Sequence, residues 1–388
     1  MSGIEDELAR LTPAPAPEAL WDRIRSGRAA APRRPRLTFR DAGILAAAAL
    51  LLGILGFMLV APVAEEPAPA QGEETSKLLE ALRTYPHRIV TESFRDGNWE
   101  LYVQNADGSN PVNLTKTPDL DELYPKVSPD GTKICFACDE GKDEAKVRNL
   151  YVMNMDGTER RKIATNGREP CWKADGTAVA YLPGEFEKFT YSDIATKGLR
   201  IYDLATGRTR EHPNAAIHHL YTLNWSPDGK WFVATVHGGM GFKHGILALE
   251  AEGNGVFDLK LGGCRPDLSP DGKRIAWGNG DFAIGIADLD FSTGTPRALN
   301  PRNAVESKDP METYHVDWSP DGKYVAFSYG PKFKKKSLKG LLPEFPGVEA
   351  PDWNLCVADA SKKNVWVALT TDGKSNKEPD WAPAGAGK

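Results

Sequence analysis

The sequence predicts an all-β fold: a six-bladed β-propeller of four-stranded antiparallel blades, preceded by one transmembrane helix. Three observations carry this. A turn of the form Ser-Pro-Asp-Gly, or a close variant, recurs six times and ends at Gly131, Gly176, Gly229, Gly272, Gly322 and Gly385. Each copy is flanked by the same ordered set of short apolar strands. Residues 42–60 form one unbroken apolar run, and no charge lies between Asp41 and Glu65.

Along the chain, residues 1–41 come first, with two short amphipathic patterns, "EDELARL" and "PEALWDRIRSG", around "TPAPAP". They read as a partly helical or disordered tail. The run 42–60 is long enough to cross the roughly 30 Å hydrocarbon layer as a helix. "RRPRLTFR" lies before it and "EEPAPAQGEE" after it. The positive-inside rule therefore expects a cytoplasmic N-terminus and an extracytoplasmic remainder, in the inner membrane of a bacterium. The run is longer and starts later than a cleaved signal's apolar region, so an uncleaved anchor is expected. Residues 61–75, rich in Pro, Ala and Glu, read as a linker. "TSKLLEALR" (Thr75 to Arg83) predicts a short helix leading into a domain over 76–388.

Within that domain the turns repeat every 43 to 63 residues, the interval of blades in an array. Each turn residue has a reason. Ser bonds the backbone two residues on, Pro presets φ for a type I turn, Asp favours the third place, and Gly takes the positive φ that rejoins an antiparallel strand. The strand after each turn ("KICFA", "AVAYL", "KWFVATV", "KRIAWG", "KYVAFS") carries a recurring small residue: Cys135, Ala180, Ala276, Ala326. A third strand follows, as in "ELYVQNADG" and "NLYVMNMDG", and then a short outer strand such as "PVNLT" or "VWVALT". The chain ends on a lone first strand, "EPDWAP", and begins at His87 with second, third and fourth strands only. Joining the two ends completes a sixth blade and leaves no free edge.

These repeats resemble the WD40-like PD40 repeats of the TolB β-propeller family, over about residues 87–388. The resemblance implies the propeller fold. Similar repeats serve TolB, the propellers of prolyl oligopeptidase-like and tricorn-type proteases, and oligogalacturonate lyases, so it implies several functions. The segment between residue 61 and His87 is too short for the α/β domain that precedes the propeller in TolB. No stretch is left for the hydrolase domain that protease propellers gate.

Chemistry is sparse. There is no G-x-S-x-G; "HGGMG" (His237 to Gly241) resembles an oxyanion loop but lacks a nucleophile elbow, and "GNGDFAIG" follows no βαβ pattern. Cys135 and Cys138 form a lone CxxC within a strand, facing opposite ways, too far apart for a disulfide and with no second pair for zinc. Five cysteines leave at least one unpaired. Of seven histidines, His218, His219, His237 and His244 fall on the loops of one blade and His315 near the same end of another. With Tyr221 they are candidate ligand-binding residues on the loop face. The first four could hold Zn²⁺ or Mn²⁺, and the plain alternative is ordinary hydrogen-bonded loop histidines with no cofactor. Asp121 and Glu122 in "PDLDELY" and Lys334 and Lys335 in "PKFKKKSLKG" add charged candidates on that face, the latter in the longest insertion. No catalytic residue is assigned.

A net charge of −5 argues against nucleic-acid binding. The expected function is a monomeric, membrane-anchored binding or scaffold module that takes a protein, peptide or glycan at its loop face. The alternative is a metal-dependent polysaccharide lyase or hydrolase of the oligogalacturonate type, using the histidines.

Overall fold

The computed structural model describes residues 71–332 and 342–386. The apolar run 42–60 lies outside these residues, as do Lys334 and Lys335. No helix among the described residues is long and apolar enough to cross a membrane.

The described residues form six four-stranded antiparallel sheets, preceded by one helix. The innermost strands, in blade order 1 to 6, are Asn376–Ala382, Asp121–Val127, Gly167–Trp172, Leu220–Trp225, Cys264–Leu268 and Met311–Trp318. Each packs against the next, and the sixth packs against the first, so the ring closes. Blade 1 is built from both ends of the chain. Its inner strand pairs antiparallel with Arg88–Ser93, from Arg88↔Ala382 to Ser93↔Asn376. This is the closure the sequence predicts.

The turns form where predicted, but the backbone N–H two residues on is taken by Asp and not by Ser: the Lys230 N–H donates to Asp228 at 3.0 Å. In blade 4 the Ser226 hydroxyl donates to Asp228 at 2.7 Å and accepts from the Trp231 N–H at 2.9 Å, while the Gly229 N–H donates to the Ser226 carbonyl. The six turn glycines all have φ between +68° and +84°. The small residues Cys135, Ala180, Ala276 and Ala326 are fully buried or nearly so, and apolar clusters fill the space between neighbouring blades. Cys135 and Cys138 lie buried and unpaired in the strand Lys133–Glu140.

Helix α1 spans Gln71–Arg83, so it starts four residues before the predicted Thr75, inside the stretch read as linker. Glu73 and Glu74 occupy its first turn and Arg83 its last, which suits the helix dipole. Leu78 and Leu82, one turn apart, are buried against Ile89, Leu355, Val367 and Trp381. The helix therefore seals the seam between blade 6 and blade 1, where the ring is closed.

Every inner strand carries the same irregularity. The residue four places before the first turn residue has positive φ: Tyr124, Glu169, Thr222, Arg265, His315 and Glu378, all between +49° and +56°. The strand pairing slips across this position in each blade. This is a β-bulge, which re-aims a side chain at the cost of a ladder position.

Candidate functional site

The six bulges put a ring of side chains into the channel at the centre of the propeller. Tyr124, Glu169, Thr222, Arg265, His315 and Glu378 line a small enclosed void of about 20 Å³. Two places further on, Lys126, Cys171, Asn224, Asp267, Asp317 and Asp380 form a second ring.

The end of the channel nearest the loops is closed by two insertions. One is the long connection in blade 3. It brings Asp193 within 3.5 Å of Arg265 and 3.6 Å of Arg148, and Arg168 donates to the Ser192 carbonyl. The other belongs to blade 6, where Lys377 donates to the carbonyls of Pro343, Phe345 and Val348 at 2.6–3.0 Å. His315 Nε2 meets the Glu344 carbonyl at 2.7 Å, and Arg265 reaches the same oxygen at 3.4 Å. Gly347 sits so close that a Cβ there would lie 3.0 Å from Leu123. A buried ionic chain results. It runs from Asp139 through the bidentate Arg148 (2.7 and 3.0 Å) to Asp193, Arg265 and Glu378, and His315 Nε2 lies 3.1 Å from Glu378 at its end.

The electrostatics follow from burial. Loss of water raises the Glu169 and Glu378 carboxyls, with Asp193 adding to the rise at Glu169 and Arg265 opposing it at both. Burial, then the Arg265 and Lys377 charges, holds His315 well below its usual range. Its imidazole is therefore neutral, and Nε2 donates to Glu344. Burial likewise brings Lys377 down to about 8, against the pull of Glu92.

The candidates read from the sequence separate into three groups. His218, His219, His237 and His244 do gather at the loop end of blade 4. Their nitrogens are mostly engaged. His218 Nδ1 meets the Ala216 carbonyl at 2.8 Å, and its Nε2 accepts the Met240 N–H at 3.2 Å. His219 faces the Gly238 carbonyl and Glu185, at 3.4 and 3.3 Å. His237 and His244 pair Nδ1 to Nδ1 at 3.2 Å. Burial and His237 lower the His244 pKa. His218 Nε2 uses its lone pair on the Met240 N–H, and one Nδ1 of the His237–His244 pair uses its lone pair on the other. Among the described residues, no three His, Cys, Asp or Glu side chains converge as a metal site.

The second group is buried. His315 and Tyr221 lie in the channel wall, with Arg265 over the Tyr221 ring at 5.8 Å. Glu122 is fully buried and ion-paired to Arg160 at 2.6 Å, joining strands within blade 2. Third, Asp121 is partly exposed but accepts the Trp99 N–H at 3.2 Å and pairs with Lys146 at 3.4 Å.

The two channel rings are features that motif reading passes over. Their only signal is position, at four and two residues before each turn. Four of the six bulge residues precede a proline (Pro125, Pro170, Pro266, Pro379).

At the opposite end, where the turns lie, the channel opens into a funnel of about 370 Å³. Trp172, Trp225, Trp318 and Trp381 line it, with turn prolines at its rim and the Lys126 ring as its floor. The floor stitches neighbouring blades. Asp267 accepts the Trp318 N–H, Asp317 that of Trp381 and Asp380 that of Val127, all at 2.7–2.8 Å.

Comparison with known proteins agrees with this architecture. A TolB homologue from Chlorobaculum tepidum is 34% identical over 108 residues, a stretch that covers 27% of this chain and 24% of the relative. The match thus spans about a quarter of that relative's length. TolB from Acinetobacter baumannii superposes with a TM-score of 0.53 at 20% identity, over 76% of this chain and 67% of that one. Kuenenia stuttgartiensis hydrazine synthase does so with a TM-score of 0.52 at 13% identity, over 82% and 50%. At these identities the structural likeness establishes the shared propeller fold. No family model matches the chain.

Proposed function

We propose that this chain is an extracytoplasmic binding module that docks a protein or peptide partner on its loop face. The observation that carries this reading is what the two capping insertions present to solvent. Each closes the channel from within and, among the described residues, exposes a large apolar side chain without. Phe186 of the blade 3 insertion is 55% exposed and Leu342 of the blade 6 insertion 53%. Loops held on a rigid scaffold are where recognition residues concentrate. The four blade 4 histidines border the first insertion through the His219–Glu185 contact. They supply polar groups beside the apolar anchors, the composition of an interface rim.

The likeness to TolB, over one stretch of sequence and in the fold of the propeller, supports an extracytoplasmic binding role. An apolar segment at 42–60 would hold the module at the membrane, with the propeller outside. Phe186→Glu combined with Leu342→Glu is expected to abolish co-purification of the partner from membranes while leaving thermal stability unchanged. Val112→Glu with Leu299→Glu, on outer strands, is expected to leave it intact. Equal loss in both pairs would refute the loop-face reading.

A further inference from the structure

We infer that the funnel at the turn end of the channel is a second binding site, which takes a lysine or arginine side chain presented by a polypeptide. The site is separate from the loop face and does not depend on it.

The argument begins with the floor. Lys126 lies 2.7 Å from Asp380 and 3.5 Å from Asp317, and Asp267 is the third carboxylate of the same ring. The other two members, Cys171 and Asn224, are neutral. One ammonium therefore faces three carboxylates, a formal excess of two negative charges at the base of a concave site. The side chains of Asp317, Asp380 and Lys126 keep 10%, 9% and 24% of their surface open to the funnel. A cation entering from the mouth can reach them. Crowding leaves its mark: burial and the neighbouring carboxylates raise the Asp317 and Asp267 carboxyls, and Lys126 opposes the rise. An added cation would relieve that crowding.

The walls match the same ligand. Four largely buried tryptophans line the funnel and give it an apolar wall, and one of them, Trp318, already carries a guanidinium, that of Arg274, over its ring at 4.4 Å. The turn prolines at the rim add rigid apolar surface that suits the stem of a long basic side chain and its flanking residues. The volume, about 370 Å³, exceeds what a lone ammonium or guanidinium fills and leaves room for the stem of the side chain and part of its backbone.

The test titrates the full-length chain with acetyl-Gly-Arg-Gly-amide and with the Lys, Gln and Glu counterparts, following tryptophan fluorescence. The Arg and Lys peptides are expected to bind at least tenfold more tightly than the Gln peptide, and the Glu peptide not at all. Asp317→Asn keeps the acceptor for the Trp381 N–H but removes a charge, and is expected to weaken the Arg peptide about tenfold. Ala174 is exposed in the blade 3 turn and lines the funnel, so it can be changed without touching the core. Ala174→Lys should weaken the Arg peptide and Ala174→Glu should strengthen it. These two variants decide the matter if Asp317→Asn fails to fold. Equal binding of Arg and Gln peptides, or no change in either Ala174 variant, would overturn the assignment. So would agmatine binding as tightly as the Arg peptide, since a polypeptide would then not be what the site selects.

Discussion

At the scale of single residues, the closed end of the channel hangs on Lys377. Its ammonium is fully buried and satisfies three carbonyls of the blade 6 insertion. Lys377→Met would leave those carbonyls and Glu92 without their cation. It is expected to cost roughly 3–5 kcal/mol in chemical denaturation, the range for breaking a buried charged network. Glu312, at the loop end of the blade 6 inner strand, gives a pH signature. Burial, then Glu344 and Asp281, pushes its carboxyl up to about 7. The unfolded carboxyl releases its proton near 4.3 or so. Between these values the folded state holds the extra proton, so this group's contribution to stability is complete below that range and is lost as pH rises towards 7. Glu312→Gln should therefore flatten the fall in melting temperature across that window. It should also melt higher than the parent at pH 8. A parallel fall in both proteins would rule out Glu312 as the source.

At the scale of elements, helix α1 acts as a clasp over the ring closure, and its worth is measurable. Leu82 is 1% exposed, and Leu82→Ala is expected to cost about 3 kcal/mol by leaving a cavity at the blade 6–blade 1 seam. Urea denaturation of the two proteins checks this. Much at this scale was legible in the sequence. Turn chemistry repeats in the same register, the intervening strands follow a fixed order, and the lone terminal strand has one vacant partner. Ring closure followed from those facts. The bulges did not, because a left-handed residue is readable only when glycine marks it, and here Tyr, Glu, Thr, Arg, His and Glu occupy that position. The start of α1 was hidden because Gln71 to Glu74 continue a polar, Pro- and Ala-rich stretch that has no apolar period.

At the scale of the whole molecule, the residues that the sequence singles out at the loop end play parts that only the folded ring makes visible. The blade 4 histidines do cluster, yet most of their nitrogens are engaged by their own loops, by Glu185 and by each other. His315, Tyr221 and Glu122 carry a candidate's residue type but are buried in ionic and aromatic packing, which depends on contacts between residues far apart in sequence. The insertion around Leu342 turned out to matter through its backbone carbonyls, on which sequence is silent. The resulting molecule has two unlike ends: one capped by loops with apolar side chains facing outward, the other an open funnel with an acidic floor. A photo-crosslinking amino acid placed in cells at Phe186, His237 and Leu342, and at Val112, Leu299 and Gly294 on outer strands and connections, tests the central claim most directly. The account predicts one discrete adduct shared by the three loop-face positions and absent from the three outer ones. Adducts of equal yield at both sets, or from the outer set alone, would contradict it.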